Sequence, residues 1–331
     1  MARQRDFYFD NARLYLIILV VFGHLLRSYI GESKFLYALY MFIYSFHMPA
    51  FVLISGYFAK GIHKPGYIKK VTKKLLVPYI IFQTFYAVYY YVIDDVSTIE
   101  FNPFDPQWAM WFLMSLFSWQ LILFFIKDIK PQIILPLAFF IGIAAGYLNF
   151  INNTLSLSRT LVFLPLFLIG YYAQPRHFKH VRDKRYVVFS IITLLFVLIF
   201  YMCFKVDFSW LFGSKPYASL EVHTPNIYSG LKRAAVYVII LISTVSFLNI
   251  VPIRELKFTY IGSRTMFIYL LHGLFVGIFR AKDLNHYFND HVFSILTFMV
   301  LTTIFLVYFF SHRKVKQFTS PVIELSFVKI S

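Results

Sequence analysis

The chain has 331 residues, of which 59% are hydrophobic and 21% aromatic, while Asp, Glu, Lys and Arg together make only 14%. A soluble domain carries about 25% charged residues, so a chain of this make-up, with a mean hydropathy of +0.66, lacks the polar surface to stay in water. Soluble enzymes, nucleases and secreted disulfide scaffolds are excluded, and an all-α polytopic membrane protein remains.

A membrane-crossing helix needs about 20 mostly apolar residues. That ruler predicts ten spans, at 12–31, 36–58, 75–93, 108–126, 132–149, 159–174, 186–204, 228–250, 258–279 and 291–312. The sixth is short and the ninth carries polar residues. The first apolar run, Leu14 to Leu26, leads straight into further spans and reads as a membrane helix, not a cleaved leader. The single cysteine, Cys203, excludes an intramolecular disulfide. It falls in the apolar run Ile191–Phe204, as an inert thiol facing lipid or core. Residues 1–312 read as one transmembrane domain and 313–331 as a short basic tail, and no internal repeat is visible.

The net charge of +17 invites a nucleic-acid reading, but Lys and Arg beside apolar spans follow from the positive charge of cytoplasmic loops. With ten spans and both termini inside, inner segments hold 23 of the 32 Lys and Arg, and outer segments hold nine of the 15 acids. Asp94, Asp95, Glu100 and Asp105 share one outer loop that has no Lys or Arg. Two basic stretches, 60–74 and 176–185, carry two readings: contact with anionic lipid that serves topology alone, or a landing surface for a polyanionic, nucleotide-bearing ligand.

Ionisable groups inside spans are expensive and mark function by default. His24, His47 and His272 qualify, with Asp10 and Arg13 at the inner mouth of the first span. Arg13 and His24 are eleven residues apart, which puts them within about 20° of one helix face and separates them by roughly 16 Å along it. Asp10 is one turn before Arg13, in position for an ion pair. Each histidine also has a structural reading. His47 precedes Met48-Pro49, and it can satisfy a backbone group that the proline frees. His272 can link helices. The sequence has no His-x-x-x-His pairing, P-loop, dinucleotide fingerprint or nucleophile elbow, so no metal is expected. Ser55-Gly56 reads as a place where helices pack closely.

Asp10-Asn11-Ala12-Arg13 followed by ten residues and His24 resembles the opening of the acyltransferase-3 family of integral membrane acyltransferases. Further segments match in order. Phe46-His47-Met48-Pro49-Ala50-Phe51 to Ile54-Ser55-Gly56-Tyr57 is similar to the family's second span, and Lys69 to Tyr79 to its first cytoplasmic loop. Trp111-Phe112-Leu113 resembles its tryptophan motif, and Ile261-Gly262-Ser263-Arg264-Thr265 to His272 its late glycine–serine–histidine span. The resemblance implies about ten helices around a central pore in a multi-pass protein of a bacterial cell membrane. It implies acetyl-CoA as donor and a hydroxyl of a cell-envelope or exported carbohydrate as acceptor, with membrane lipid as surroundings and no nucleic acid. His24 becomes the catalytic histidine, with Arg13 beside it. Arg13, Lys70, Lys73, Lys74 and Arg264 become donor-binding, and Asp10, His47, Ser55, Trp111 and His272 substrate- or pore-lining. An acyl-histidine intermediate is the variant chemistry.

Two departures stand out. Lysines replace the family's first-loop arginines, which weakens any bidentate phosphate grip. No appended esterase-like domain is expected after residue 312. Tyr89, Tyr90 and Tyr91 read as an interfacial belt, with sugar stacking as the alternative. The rival function is an exporter of polysaccharide or small glycoside without chemistry of its own, although the paired broken helices of common transporters are not seen. A histidine-based sensor would lack an output domain.

Overall fold

The computed structural model describes residues 6–93, 98, 101–221, 224–288 and 291–325, all helix, turn or irregular chain with no strand among them. The predicted acids Asp94, Asp95 and Glu100 lie outside the described residues, as do Arg3, Arg5 and Lys329. Among the described residues there are fourteen α-helices: α1 Phe7–Leu26, α2 Lys34–Tyr44, α3 His47–Phe58, α4 Tyr67–Ile93, α5 Trp111–Ile126, α6 Pro131–Ala144, α7 Leu157–Tyr172, α8 Pro175–Val181, α9 Val187–Cys203, α10 Ser209–Phe212, α11 Ile227–Ile250, α12 Thr265–Ala281, α13 Val292–Ser311 and α14 Arg313–Ile323.

All ten predicted segments are helical. Eight helical stretches among the described residues are long and apolar enough to cross a membrane: Phe7–Tyr29, Lys34–His63, Tyr67–Ile93, Trp108–Ile126, Thr154–Tyr172, Lys184–Cys203, Ile227–Ile250 and Val292–Ser311. Pro131–Tyr147 and Thr265–Ala281 are apolar but shorter. The sixth predicted span is longer than expected, because a turn at Thr154–Ser156 precedes α7. The ninth is shorter, because Thr259–Ser263 forms a separate 3-10 turn before α12.

Two boundaries differ instructively from the hydropathy reading. The basic stretch expected as loop 60–74 becomes a 3-10 turn, Lys60–His63, followed by the first turns of α4. Gly66, at φ +71°, marks where the chain turns into that helix, and no Gly or Pro interrupts Tyr67–Val77. Lys70, Lys73 and Lys74 therefore share a helix face at i, i+3 and i+4. The second span is two helices. Pro49 has no N–H to donate and is tolerated in the first turn of a helix, so the chain restarts at His47. Carbonyls at the end of α2, which accept backbone N–H groups of Ser45 and Phe46, also accept from side chains: Ser45 Oγ donates to Phe42 O at 2.6 Å, and His47 Nδ1 to Ile43 O at 2.9 Å.

The chain divides into two compact units, Met1–Phe51 with Pro175–Lys205 and Leu241–Ser331, and Val52–Gln174 with Val206–Ile240. In the first, α1 packs on α2, α12, α13 and the turn Thr259–Ser263, while α2 packs on α9. Leu16, Ile17, Val21, Leu25 and Leu26 are buried there with Ile268, Leu270, Val276 and Met299. In the second, α7 packs on α5 and α6, and α4 packs on α5. Trp119 Nε1 donates to Thr160 O at 2.7 Å, and Tyr237 Oη to Val162 O at 2.7 Å. Buried Arg233 donates to Trp210 O and sits 5.3 Å from that indole.

Lipid gives apolar side chains little reason to prefer one another, so helices associate where small residues admit close approach. Gly56 on α3 and Gly170 on α7 do this reciprocally. A Cβ on Gly56 would lie 1.9 Å from Phe167 O, and one on Gly170 would lie 1.9 Å from Leu53 O. Gly170→Ala is therefore expected to cost about 2 kcal/mol or more by overpacking. Thermal unfolding in detergent checks this, with Gly31→Ala unchanged because no heavy atom lies within 4 Å of its Cβ position.

Candidate functional site

The first unit assembles the candidate site around α1. Asp6 caps the helix by accepting from Tyr8 N at 3.1 Å. Asp10 is buried, and Arg13 Nη1 reaches its Oδ1 at 3.4 Å. Asn11 is wholly buried and ties the helix to the segment 252–259. Its Nδ2 donates to Pro252 O and Arg254 O, both at 2.8 Å, and its Oδ1 accepts from Thr259 Oγ1 at 2.6 Å. Gly262 brings the following turn against the helix backbone, since a Cβ there would lie 1.9 Å from Asp10 O. The predicted pair Asp10–Arg13 thus forms, on a helix end that two residues without an assigned role, Asn11 and Gly262, hold in place.

Further along the same helix, His24 meets His272 of α12, with ring centroids 5.3 Å apart. His272 is fully buried, whereas His24 retains part of its surface. A carbonyl oxygen only accepts, so the contact of His272 Nδ1 with Ile268 O at 2.9 Å places the proton on Nδ1 and leaves Nε2 as the basic nitrogen. Arg280 Nη2 donates to His24 O at 2.6 Å. That carbonyl comes free because α1 tightens into a 3-10 turn at Arg27–Tyr29, and orphan carbonyls at helix ends need a partner. Arg280 stands one residue before the end of α12, eight residues and about 80° round the helix from His272. No local spacing marks it in the sequence.

His47 is buried too, with Tyr44 at 4.5 Å and Nδ1 engaged on Ile43 O. Its ring bonds the carbonyl four residues earlier, Ile43 O, whereas the carbonyl that Pro49 leaves without an i+4 donor is Ser45 O. Arg264 donates to Ser311 O at 2.6 Å, at the carbonyl end of α13, and covers Tyr260 at 4.9 Å. Its guanidinium is thereby engaged within the protein.

The remaining predicted residues belong to the second unit. Lys70 and Lys74 are exposed and Lys73 half-buried on α4. Trp111 stacks on Phe163 at 5.9 Å, with Arg159 over its face at 5.0 Å. Ser55 precedes the glycine of the α3–α7 contact. In the other basic stretch, Arg182 pairs with Asp6 at 2.8 Å and lies over Tyr8 at 3.8 Å. Hydrogen bonds from Arg185 hold the Asp183 carboxyl down to about 2. Among the described residues, no group of three His, Cys, Asp or Glu side chains is placed to hold a metal ion.

The arrangement offers a partly accessible imidazole backed by a second histidine, with a cation eleven residues away on the same helix. The family model described as "Acyltransferase domain" matches residues 6–312. Two proteins named nodulation protein NolL are similar in sequence. That of Sinorhizobium fredii (strain NBRC 101917 / NGR234) is 48% identical over 63 residues, 18% of this chain and 17% of that protein's length. That of Mesorhizobium japonicum (strain LMG 29417 / CECT 9101 / MAFF 303099) is 26% identical over 328 residues, 92% of this chain and 84% of the relative. No solved structure matches the chain.

Asn11→Ala is expected to leave two carbonyls and one hydroxyl without their partner. The cost is about 2–4 kcal/mol, at roughly 1 kcal/mol or more for each buried group left unsatisfied. Thermal unfolding in detergent measures it, with Asn11→Asp losing most of the same stability because a carboxylate has no N–H for Pro252 and Arg254.

Proposed function

The chain belongs to the acyltransferase-3 family and is a multi-pass membrane acyltransferase, and from that membership we propose that it moves acetyl from acetyl-CoA to a hydroxyl of a cell-envelope or exported carbohydrate. The observation that carries the site assignment is His24. It is the partly accessible member of the histidine pair, on the helix that also carries the Asp10–Arg13 pair.

In this reading the neutral imidazole of His24 takes the proton of the acceptor hydroxyl. The oxygen attacks the acetyl carbonyl, the carbon–sulfur bond breaks, and the proton returns to the leaving CoA thiolate. His272, with its basic Nε2 set by the bond to Ile268, positions His24 and lends a second titratable ring. Arg13 balances charge at the mouth of α1. Arg264 is already bonded to Ser311 O, so its part is to set the turn that holds Gly262 against Asp10.

Lys70, Lys73 and Lys74 support a donor of high negative charge. They share one face near the start of α4, Lys70 and Lys74 exposed, as a cluster of ammonium groups that would meet the phosphates of such a donor. The partition of Lys and Arg supports placing both termini on the cytoplasmic side of a cell membrane. The exporter reading supplies no account of the acyltransferase-domain match.

Purified protein in detergent, given acetyl-CoA labelled in the acetyl group and a crude envelope-glycan extract, tests the assignment. His24→Ala is expected to lower transfer by a factor of about 10³, the range of a lost general base, without loss of thermal stability. His272→Ala is expected to fall less, by about tenfold. Full transfer by His24→Ala moves the base elsewhere, and transfer from other acyl-CoAs but not acetyl-CoA replaces the donor.

A further inference from the structure

At the end of α1 remote from Arg13, the first unit contains a cavity of about 430 Å³ lined by Ile30, Gly31, Ser33, Lys34, Tyr37, Tyr201 and Lys205. Residues 30 and 13 are seventeen positions apart, about 25 Å of helix, so this cavity is distinct from the charged mouth at Asp10 and Arg13. We propose that it binds the phosphate-bearing headgroup of a membrane lipid. The proposal is independent of the acetyl-transfer reading.

Four features converge on that chemistry. Two ammonium groups, Lys34 and Lys205, face the same cavity, and neither makes an ion pair or hydrogen bond with any described residue. The cavity takes in the N-terminus of α2, which Ser33 caps by accepting from Leu36 N at 3.1 Å. The first N–H groups of a helix have no intrahelical acceptor and favour an anion. Tyr201 is only 3% exposed and lines the cavity, yet its hydroxyl forms no hydrogen bond with any described residue. Its oxygen is not among the fully enclosed ones, so it opens to the cavity, where a phosphate oxygen would give it a partner. Finally, each lysine has an exposed phenylalanine as chain neighbour, Phe35 beside Lys34 and Phe204, 61% exposed, beside Lys205.

This last feature selects a lipid over soluble phosphate. α9 presents Ile192, Leu195, Phe196 and Ile199 outward along its length, an apolar face on the helix that leads to Phe204 and Lys205 at its end. A headgroup held by the lysines, the helix N-terminus and Tyr201 would lay its acyl chains on that face. Two lysines near a membrane surface contribute about a factor of five each to binding an anionic lipid.

Native mass spectrometry of the purified full-length chain tests this with three probes, short-chain phosphatidylglycerol, phosphatidylcholine and inorganic phosphate. The wild type is expected to retain phosphatidylglycerol, and Lys34→Ala/Lys205→Ala to bind it about 25-fold more weakly. Lys127→Ala/Lys130→Ala, which removes the same charge elsewhere, is expected to change it less than twofold. Tyr201→Phe removes one hydroxyl that bonds no described residue, so a several-fold loss in this variant marks a built site in a way that a diffuse cationic surface would not. Thermal unfolding of each variant shows that folding is retained. Equal binding by wild type and the Lys34/Lys205 variant overturns the proposal. Displacement of the lipid by low-millimolar inorganic phosphate overturns its lipid identity, and equal retention of phosphatidylcholine overturns its charge selectivity.

Discussion

The side-chain amide of Asn11 fixes the start of the first helix. In a span, an amide has no water to fall back on, and every polar atom has to find its partner within the protein. Asn11 meets that demand by bonding two carbonyls and one hydroxyl of a segment more than 240 residues away in sequence. Gly262 then allows backbone to lie on backbone at Asp10. With α1 pinned at that end, its register against α12 is set, and the meeting of His24 with His272 follows from it. Arg280, bonded to His24 O, closes the same pair of helices at the other end.

The same economy recurs at two of the buried histidines. His47 and His272 each place Nδ1 on the carbonyl four residues earlier. For His47 this ties the ring back to the end of the preceding helix, across the interruption at Ser45 and Phe46. For His272, within an unbroken helix, it fixes the tautomer of a ring beside the candidate base. One bonding pattern thus serves architecture at one position and chemistry at the other, and the difference lies in what stands next to the free face of the ring.

Much of this was legible from residue types alone. Apolar runs located every helix of membrane length, because the cost of exposing backbone to lipid leaves a mark in composition that soluble folds do not carry. The Asp10–Arg13 pair was readable, since helical periodicity is local. The pairing of His24 with His272 was not, because it depends on α1 packing against α12, and nothing local encodes that partner. Arg280 was hidden for the same reason: at the edge of an apolar run it looks like a loop charge, and its role appears only once α1 is seen to tighten at Arg27–Tyr29. The early start of α4 was missed because hydropathy ends at Lys74, whereas helical geometry continues through lysines whose long stems stay compatible with it.

The broken second span has a consequence for how this chain fits a bilayer. Its helical stretch runs over 30 residues, Lys34–His63, about 45 Å if straight, against a hydrocarbon core of about 30 Å. A continuous rod of that length would have to tilt steeply or thicken the lipid around it. The interruption at Ser45 and Phe46, where Ser45 Oγ and His47 Nδ1 add bonds to Phe42 O and Ile43 O, is a place at which such a helix can bend. A joint within the helix would offer such a span a way to fit a thin hydrocarbon core other than deforming the lipid around it.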